Sequence, residues 1–540
     1  MRRAHIIGAI TSVGLLLALS PVSVQAQGEP ETVPLIMVKP QGAAFGVAHL
    51  RKLYAALKKR SSRATSQVLP LTKSEVWIVP KQDVEGVRKT AARHGVVMSQ
   101  LSATWNRVFR KAPAQAKVND KQKSIMDRAK TAAATMAVNL MIAPAPPMME
   151  YALTKDMSTA RGAKDAAKIT IQLGDKTELS ITRTGFEVTP RMCVWHGTVD
   201  GTEAPVTIMW WPDGRMTGTV QHAGRLYSIR HLGGELHAVV EMAEDRMPPE
   251  HAPMSSARRA QHANLADDPL VTQGDASTLR SITVGMRPLT PEDFAIKERR
   301  NLRAMLRRLT NAQPKAADAA DDVVIDVIVA FTKSAADNYT DIRSELVELA
   351  IEEANQSFRL SNLGSIKLRL VHAYQTDYVE RGEHFEHLWR FADKGDNYME
   401  EIHGLREKYS ADVAVLIVND ASGCGLATRV FADEADAFAV AHHGCAAASF
   451  TLAHEIGHLI GARHDPSMDK TTAPFPYGHG YVNGTKWRDI MSYKETCGGC
   501  PRIPVWSSPM VTVRGERAGT SENDNARVIL EQAARVAAFR

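Results

Sequence analysis

The segment His454-Glu455-Ile456-Gly457-His458-Leu459-Ile460-Gly461-Ala462-Arg463-His464-Asp465 constrains this chain more than any other. Helical residues four apart lie on one face, one turn apart, so His454 and His458 are placed as two ligands of one zinc ion. Glu455 shares their turn, close enough to take a proton from a metal-bound water. Gly461 can enter a left-handed backbone conformation, which ends the helix and swings His464 back toward the same ion. Three neutral imidazoles leave a fourth position for water, the arrangement of a catalytic rather than a structural zinc. Zinc there would lower the water pKa toward about 7 and polarise a scissile carbonyl. An isolated His-Glu-x-x-His arises by chance in about one or two per cent of chains this long, and the added Gly461 and His464 lower that roughly a thousandfold.

The surroundings agree. From Val323 the pattern is α/β: a strand Val323–Phe331, a helix Ser344–Leu360, a strand Ile366–Ala373, a helix Met399–Tyr409, a buried strand Ala411–Val418, a short strand Phe438–His442 and a helix Ala446–Ile460. Downstream, Asp489-Ile490-Met491-Ser492-Tyr493 reads as the Met-turn that follows extended zinc motifs. On these residues the C-terminal part resembles the metzincin zinc endopeptidases, and within them a bacterial branch near the reprolysin/adamalysin peptidases. Asp465, Gly425-Leu426-Ala427-Thr428, Arg502-Ile503-Pro504-Val505 and Asp524-Asn525-Ala526-Arg527 carry the likeness further. It implies an α/β (α+β) catalytic domain over 321–540, with a twisted, mostly parallel five-stranded sheet over two helices, the active-site helix among them, and a small C-terminal lobe. It also implies that the strand near Gly425–Val430 is the sheet edge that pairs with extended substrate. Tyr493 departs from the adamalysin pattern and is similar to that of astacins and serralysins, where the Tyr can approach zinc and stabilise an oxyanion. Packing beneath the site is its alternative role.

A chain of 540 residues implies two to four domains. Met1-Arg2-Arg3, the apolar run Ile6–Leu19 and Val24-Gln25-Ala26 read as a signal peptide over 1–26, with an uncleaved anchor as the alternative; cleavage would leave the protein secreted or periplasmic. Residues 27–150 form a mixed α/β pro-region, with strands Val33–Val38 and Glu75–Val79, helices Ala48–Lys58, Val84–His94 and Lys121–Asn139, and a Pro-rich break Ala143–Pro147. Residues 168–245 alternate in short runs with turn signals, as a small all-β unit does. Residues 246–320 read as a linker, and the basic stretch Lys297–Arg308 suits a processing protease. Residues 321–540 hold 22 Lys+Arg against 32 Asp+Glu, and residues 1–320 hold 44 against 28, so a net −10 follows a net +16. Export makes a nucleic-acid role for the basic half implausible, and no stable membrane insertion is expected of the mature chain. Phe186–Met247, with Cys193-Val194-Trp195-His196-Gly197, resembles a reprolysin-type propeptide. The charge split then suits a pro-region that docks on the catalytic domain as an intramolecular inhibitor.

Five cysteines exclude a disulfide scaffold. In an oxidising compartment Cys424 would pair with Cys445 and Cys497 with Cys500, although spacing alone does not fix this; half a zinc knuckle is the alternative for Cys497-Gly-Gly-Cys500. Cys193 stands apart, either a thiolate switch on the zinc or a buried free thiol. His384, His387, His442 and His443 lack further ligands at metal spacing, Trp210-Trp211 reads as packing, and calcium has no evident ligand loop. The function expected is a secreted zinc metalloendopeptidase made as a zymogen, with His454, His458 and His464 on one Zn2+, Glu455 assisting attack by a zinc-bound water on protein or peptide substrates, and Tyr493 as a further catalytic candidate. A non-catalytic binding or inhibitory protein on the same fold and a hydrolase of non-peptide amides are the alternatives. Intact Glu455 argues against the first, and an edge strand suited to extended peptides against the second. The segment Lys494–Thr512 would shape specificity, with Arg502 favouring an acidic side chain beside the cleaved bond.

Overall fold

A computed structural model describes residues 32–39, 45–101, 107–154, 168–202, 204–250 and 322–540. The expected signal peptide 1–26 and the expected processing stretch Lys297–Arg308 lie outside these residues, as does the expected linker beyond Glu250. Among the described residues no helix is long and apolar enough to cross a membrane.

Residues 32–68 and 75–101 form one compact unit. Its elements run Thr32–Val38, helix Val47–Arg60, Thr65–Val68, Glu75–Pro80, helix Val84–Arg93 and Val97–Gln100. The four strands are antiparallel, in the spatial order Thr65–Val68, Glu75–Pro80, Thr32–Val38, Val97–Gln100, the split β-α-β arrangement. Leu35, Leu53, Leu57, Trp77, Val79, Val87 and Ala91 are its core, each helix contributing one apolar stripe.

The second unit holds 69–74 and everything described beyond 101. Its first layer is a nine-stranded antiparallel sheet in the order Arg110–Lys111, Thr135–Ile142, Leu236–Ala243, Arg225–Gly233, Met216–His222, Pro205–Trp210, Cys193–Val199, Glu178–Val188, Lys168–Gln172. Two sequence expectations change here. The helix expected over Lys121–Asn139 ends at Thr131, and Thr135–Ile142 is a strand paired with Leu236–Ala243. Because that strand belongs to the β sheet, the division expected at residue 150 falls instead near residue 101. Cys193–Val199, within the segment that resembles a reprolysin-type propeptide, is an inner strand of the sheet.

The catalytic part carries a five-stranded sheet ordered Ile366–Gln375, Val323–Phe331, Val413–Val418, Phe438–His442, Gly425–Ala427. The first four are mutually parallel and Gly425–Ala427 runs antiparallel along the edge. Both faces are covered, which is why Val413–Val418 is buried at every position. Ile325, Val327, Val329 and Phe331 share a core with the helices Glu348–Leu360, Thr451–Ile460 and Asn525–Val536, while Ile328 and Ala330 share one with His384–Ala392. Fully burying each such Val, Ile or Leu contributes about 1.5–3 kcal/mol.

The nine-stranded sheet packs on this domain. Val194, Met209 and Trp211 join the same core as Leu346, Leu349 and Phe358. Arg215 reaches Asp341 at 2.7 Å, Arg191 reaches Glu348 at 2.8 Å, and the Thr217 hydroxyl donates to the Glu345 carbonyl at 2.7 Å. Glu353 is fully covered beneath the sheet, accepting from the Thr219 and Thr207 hydroxyls. Arg215 and Arg191 of the front half thus meet Asp341 and Glu348 of the back half around an apolar centre that composition did not reveal.

Candidate active site

The helix Thr451–Ile460 is buried at all ten positions. It starts later than the Ala446 expected from its apolar pattern, because Phe450 turns into the left-handed region at φ 59°. It stops at Gly461, whose φ of +136° suits glycine, and a Cβ there would sit 2.9 Å from the Phe475 ring. The turn brings His464 back onto His454 and His458. Their Nε2 atoms lie 3.1 Å (His454–His458), 3.2 Å (His454–His464) and 2.9 Å (His458–His464) apart.

Those nitrogens do not hold one another. His454 Nδ1 faces the Ile490 carbonyl at 2.8 Å and His458 Nδ1 faces the Ala462 carbonyl at 2.9 Å. A ring nitrogen against a carbonyl carries the proton, so both Nε2 atoms present lone pairs to the centre. Converging lone pairs repel unless a cation lies between them. Tetrahedral zinc, with Zn–N bonds near 2.0–2.1 Å, needs about 3.3 Å between nitrogens, so the three residues fit that ion. Among the described residues this is the one cluster of three or more His, Cys, Asp or Glu side chains close enough to share a metal.

Glu455 lies on the same turn, 1% exposed. Burial, and then the nearby Glu250 carboxylate, hold its carboxyl well above the usual carboxylate range against the opposing pull of Arg502. The edge strand passes so close that a Cβ on Gly425 would lie 2.4 Å from Glu455 Oε1. Beneath the helix, a Cβ on Gly457 would meet the Trp506 ring at 2.6 Å and Met491 Sδ at 3.2 Å, so the Met-turn packs directly under the three histidines. Asp489 fastens that turn, accepting from the Ser492 hydroxyl at 2.6 Å and the Ser507 amide at 3.0 Å. Asp465 accepts from the Tyr493 amide at 3.2 Å and the Thr496 hydroxyl at 3.0 Å, joining the third histidine to the segment after the Met-turn. The Tyr493 ring lies 4.5 Å from that of His464, and burial holds its hydroxyl well above the ordinary phenol range.

Arg502, whose charge reaches Glu455, is one of a pair of buried arginines that share the Ser492 carbonyl. Arg502 donates to the Ser449 carbonyl at 2.9 Å and the Ser492 carbonyl at 3.2 Å; Arg488 donates to the Ser492 carbonyl at 3.1 Å and to the Cys500 carbonyl. Both grip Glu250, Arg502 at Oε2 and Arg488 at Oε1 (3.2 Å), while Arg488 also holds Glu244. Arg502 was legible in the sequence; Arg488, Glu244 and Glu250 were not, and no spacing rule would have found them. The pairings Cys424–Cys445 and Cys497–Cys500 are both formed. The first ties the edge strand to the approach of the active-site helix, the second closes the loop whose Cys500 carbonyl holds Arg488.

Other candidates fall away from the centre. Cys193 is buried among Trp195, Ile208, Trp210 and Met216, and burial pushes its thiol up to about 12, so it is a core thiol and not a zinc switch. His387 accepts from or donates to the Tyr378 hydroxyl at 2.8 Å, and His384 pairs with the Ser422 hydroxyl at 3.2 Å. His443 meets the Tyr339 hydroxyl at 3.1 Å, and burial lowers the His442 imidazole to about 4. None of these four belongs to a group of three or more metal-capable side chains among the described residues. Trp210 and Trp211 are both core residues.

Residues 321–507 match the model of metallo-peptidase family M12. A peptidyl-Asp metalloendopeptidase of Xanthomonas campestris pv. campestris is 37% identical over 327 residues, 60% of this chain and 67% of that one. Its counterpart from Stenotrophomonas maltophilia is 35% identical over 330 residues, 60% of this chain and 68% of the relative. A peptidyl-Asp metalloendopeptidase of Pseudomonas fragi is 34% identical over 190 residues, 35% of this chain and all of its own length. The chain belongs to metallo-peptidase family M12, as a bacterial reprolysin-like metzincin and a zinc metalloendopeptidase.

Proposed function

We propose that this zinc endopeptidase is exported as a zymogen, that His454, His458 and His464 hold its single zinc, and that Glu455 carries the proton of the reaction. The observation that carries the reading is the setting of Glu455. It is buried on the turn of the converging imidazoles, and its Oε2 has no hydrogen-bond partner among the described residues. Zinc, when bound, supplies a Lewis acid that polarises the scissile carbonyl and acidifies water. A carboxyl held above its usual range is a suitable acceptor for the proton of the attacking water and a suitable donor to the departing amine. Gly425–Ala427 is an edge strand, and once Glu250 has left it the outward backbone groups suit pairing with an extended peptide, as an endopeptidase requires. Tyr493 keeps its proton at neutral pH and serves as a donor to the developing oxyanion.

Substrates carry an acidic side chain beside the cleaved bond. Two features support this: the buried pair Arg502 and Arg488, of which Arg502 reaches Glu455 by its charge, and the relatives' common description as peptidyl-Asp metalloendopeptidases. Latency comes from the pro-region, whose nine-stranded sheet packs against the catalytic domain. Cleavage of a peptide library by the chain cut between residues 251 and 321 and separated from its pro-region, with and without a zinc chelator and with Glu455→Ala, tests the reading. Chelation should abolish cleavage, Glu455→Ala should lower kcat by about 10²–10⁴-fold while zinc remains bound, and cuts should cluster at acidic residues. Cleavage that survives Glu455→Ala sinks the proposed mechanism.

A further inference from the structure

Glu250 stands at the junction of three features that the zymogen reading does not by itself connect. The first is main-chain contact with the sheet edge. The Cys424 amide donates to the Pro249 carbonyl at 2.6 Å and the Gly425 amide to the Glu250 carbonyl at 3.4 Å, so Pro249–Glu250 lies where an extended peptide would bind. The second is the double clamp on the Glu250 carboxylate, Arg502 on one oxygen and Arg488 on the other. The third is charge. Arg488 and Arg502 are 1% and 2% exposed, and the carboxylates that hydrogen-bond them are Glu244 and Glu250, both from the last few described residues of the pro-region. Two guanidiniums and two carboxylates balance. Buried charges are tolerable only when paired, and a planar guanidinium matches a carboxylate better than any other anion-binding side chain. When the pro-segment departs, both arginines stay fixed by the carbonyls of Ser449, Ser492 and Cys500, a preformed cationic pocket to which, among the described residues, no catalytic-domain carboxylate hydrogen-bonds.

We infer that Glu250 is a built-in substrate mimic: its carboxylate fills the pocket in which Arg488 and Arg502 receive the acidic side chain of a substrate, and the chain stays latent while it does. This rests on the acidic preference proposed above and adds the residue that blocks the pocket and Arg488 as its second determinant. The same two contacts then set specificity and inhibition, so weakening one weakens the other.

The test uses the full chain carrying Glu455→Ala, so that turnover cannot confuse binding, and reads fluorescence anisotropy of a labelled peptide with one central Asp against its Asn counterpart. Adding Glu250→Gln should tighten Asp-peptide binding at least tenfold and give at least a tenfold preference for Asp over Asn. Adding Arg502→Gln or Arg488→Gln to that variant should erase the preference. Glu250→Asp, which keeps the charge, should stay closed and exposes any effect due merely to misfolding. Equal binding before and after Glu250→Gln, or tighter binding without discrimination between Asp and Asn, overturns the proposal. Because binding is read without cleavage, a Glu250→Gln chain with intact Glu455 that binds the Asp peptide but cuts nothing would count against the peptidase mechanism and leave this result standing.

Discussion

At Gly425 the absence of a side chain lets the edge strand pass over Glu455, since a Cβ would lie 2.4 Å from Oε1 and 2.6 Å from Thr451 Cγ2. Tyr493 is the residue whose role most needs separating from packing, because its ring lies against His464 while its hydroxyl is protonated. Tyr493→Phe keeps the ring and removes the donor. It should lower kcat by about 10- to 100-fold with little change in KM or in thermal midpoint, as steady-state kinetics with a melting scan would read. An unchanged kcat assigns the ring to packing alone. His454, Glu455, His458 and His464 were legible in the sequence because helix periodicity and one glycine fix their relative placement locally. Arg488 and Glu250 were not, because they meet across 238 positions of sequence and only the tertiary fold brings them together.

Gly457 sets how closely the active-site helix approaches the layer beneath it. Gly457→Ala would press a methyl into Trp506 and Met491, both fully buried, and overpacking of this kind costs about 1–3 kcal/mol. The expected result is a lower melting temperature and weaker zinc retention, read by calorimetry and by metal analysis after dialysis; an unchanged midpoint would mean that Trp506 can move aside. Strands such as Val323–Phe331 and Phe438–His442 were read to the residue because β-branched apolar runs bounded by polar breaks leave little choice. Thr135–Asn139, the first part of the strand Thr135–Ile142, is read from sequence as the end of a helix because TMAVNLMI carries no period that separates a buried strand from a buried helix, and its partner Leu236–Ala243 lies far along the chain. The late start of the active-site helix at Thr451 was equally hidden, since Ala446–Phe450 is apolar enough to continue it.

Across the whole molecule, the contact between the nine-stranded sheet and the catalytic domain buries two carboxyls. Burial pushes Glu353 and Glu345 up to about 8; Glu352 adds to the first, Asp341 adds to the second, and Arg359 and Arg230 oppose them. Both return toward their ordinary value of 4.5 once solvated. A group whose pKa is raised in the packed state favours packing fully below its free value and ceases to do so as pH rises through the raised one. Docking of the pro-region should therefore weaken between about pH 4.5 and 8. With the chain cut between residues 251 and 321, less of the β sheet should co-elute with the catalytic domain at pH 8.5 than at pH 5, and Glu353→Gln should flatten the difference; co-elution that does not vary with pH contradicts this. One zinc held by three histidines beside Glu455 underlies all the chemistry proposed for this site. The most direct measurement is titration with Zn2+ of the chelator-stripped chain, cut between residues 251 and 321 and separated from its pro-region, following bound metal and peptide cleavage together. Cleavage should rise in proportion to zinc and stop at one ion per chain, with His458→Ala binding no zinc tightly and cutting nothing. Cleavage without zinc, or a His458→Ala chain that still binds and cuts, would contradict the account.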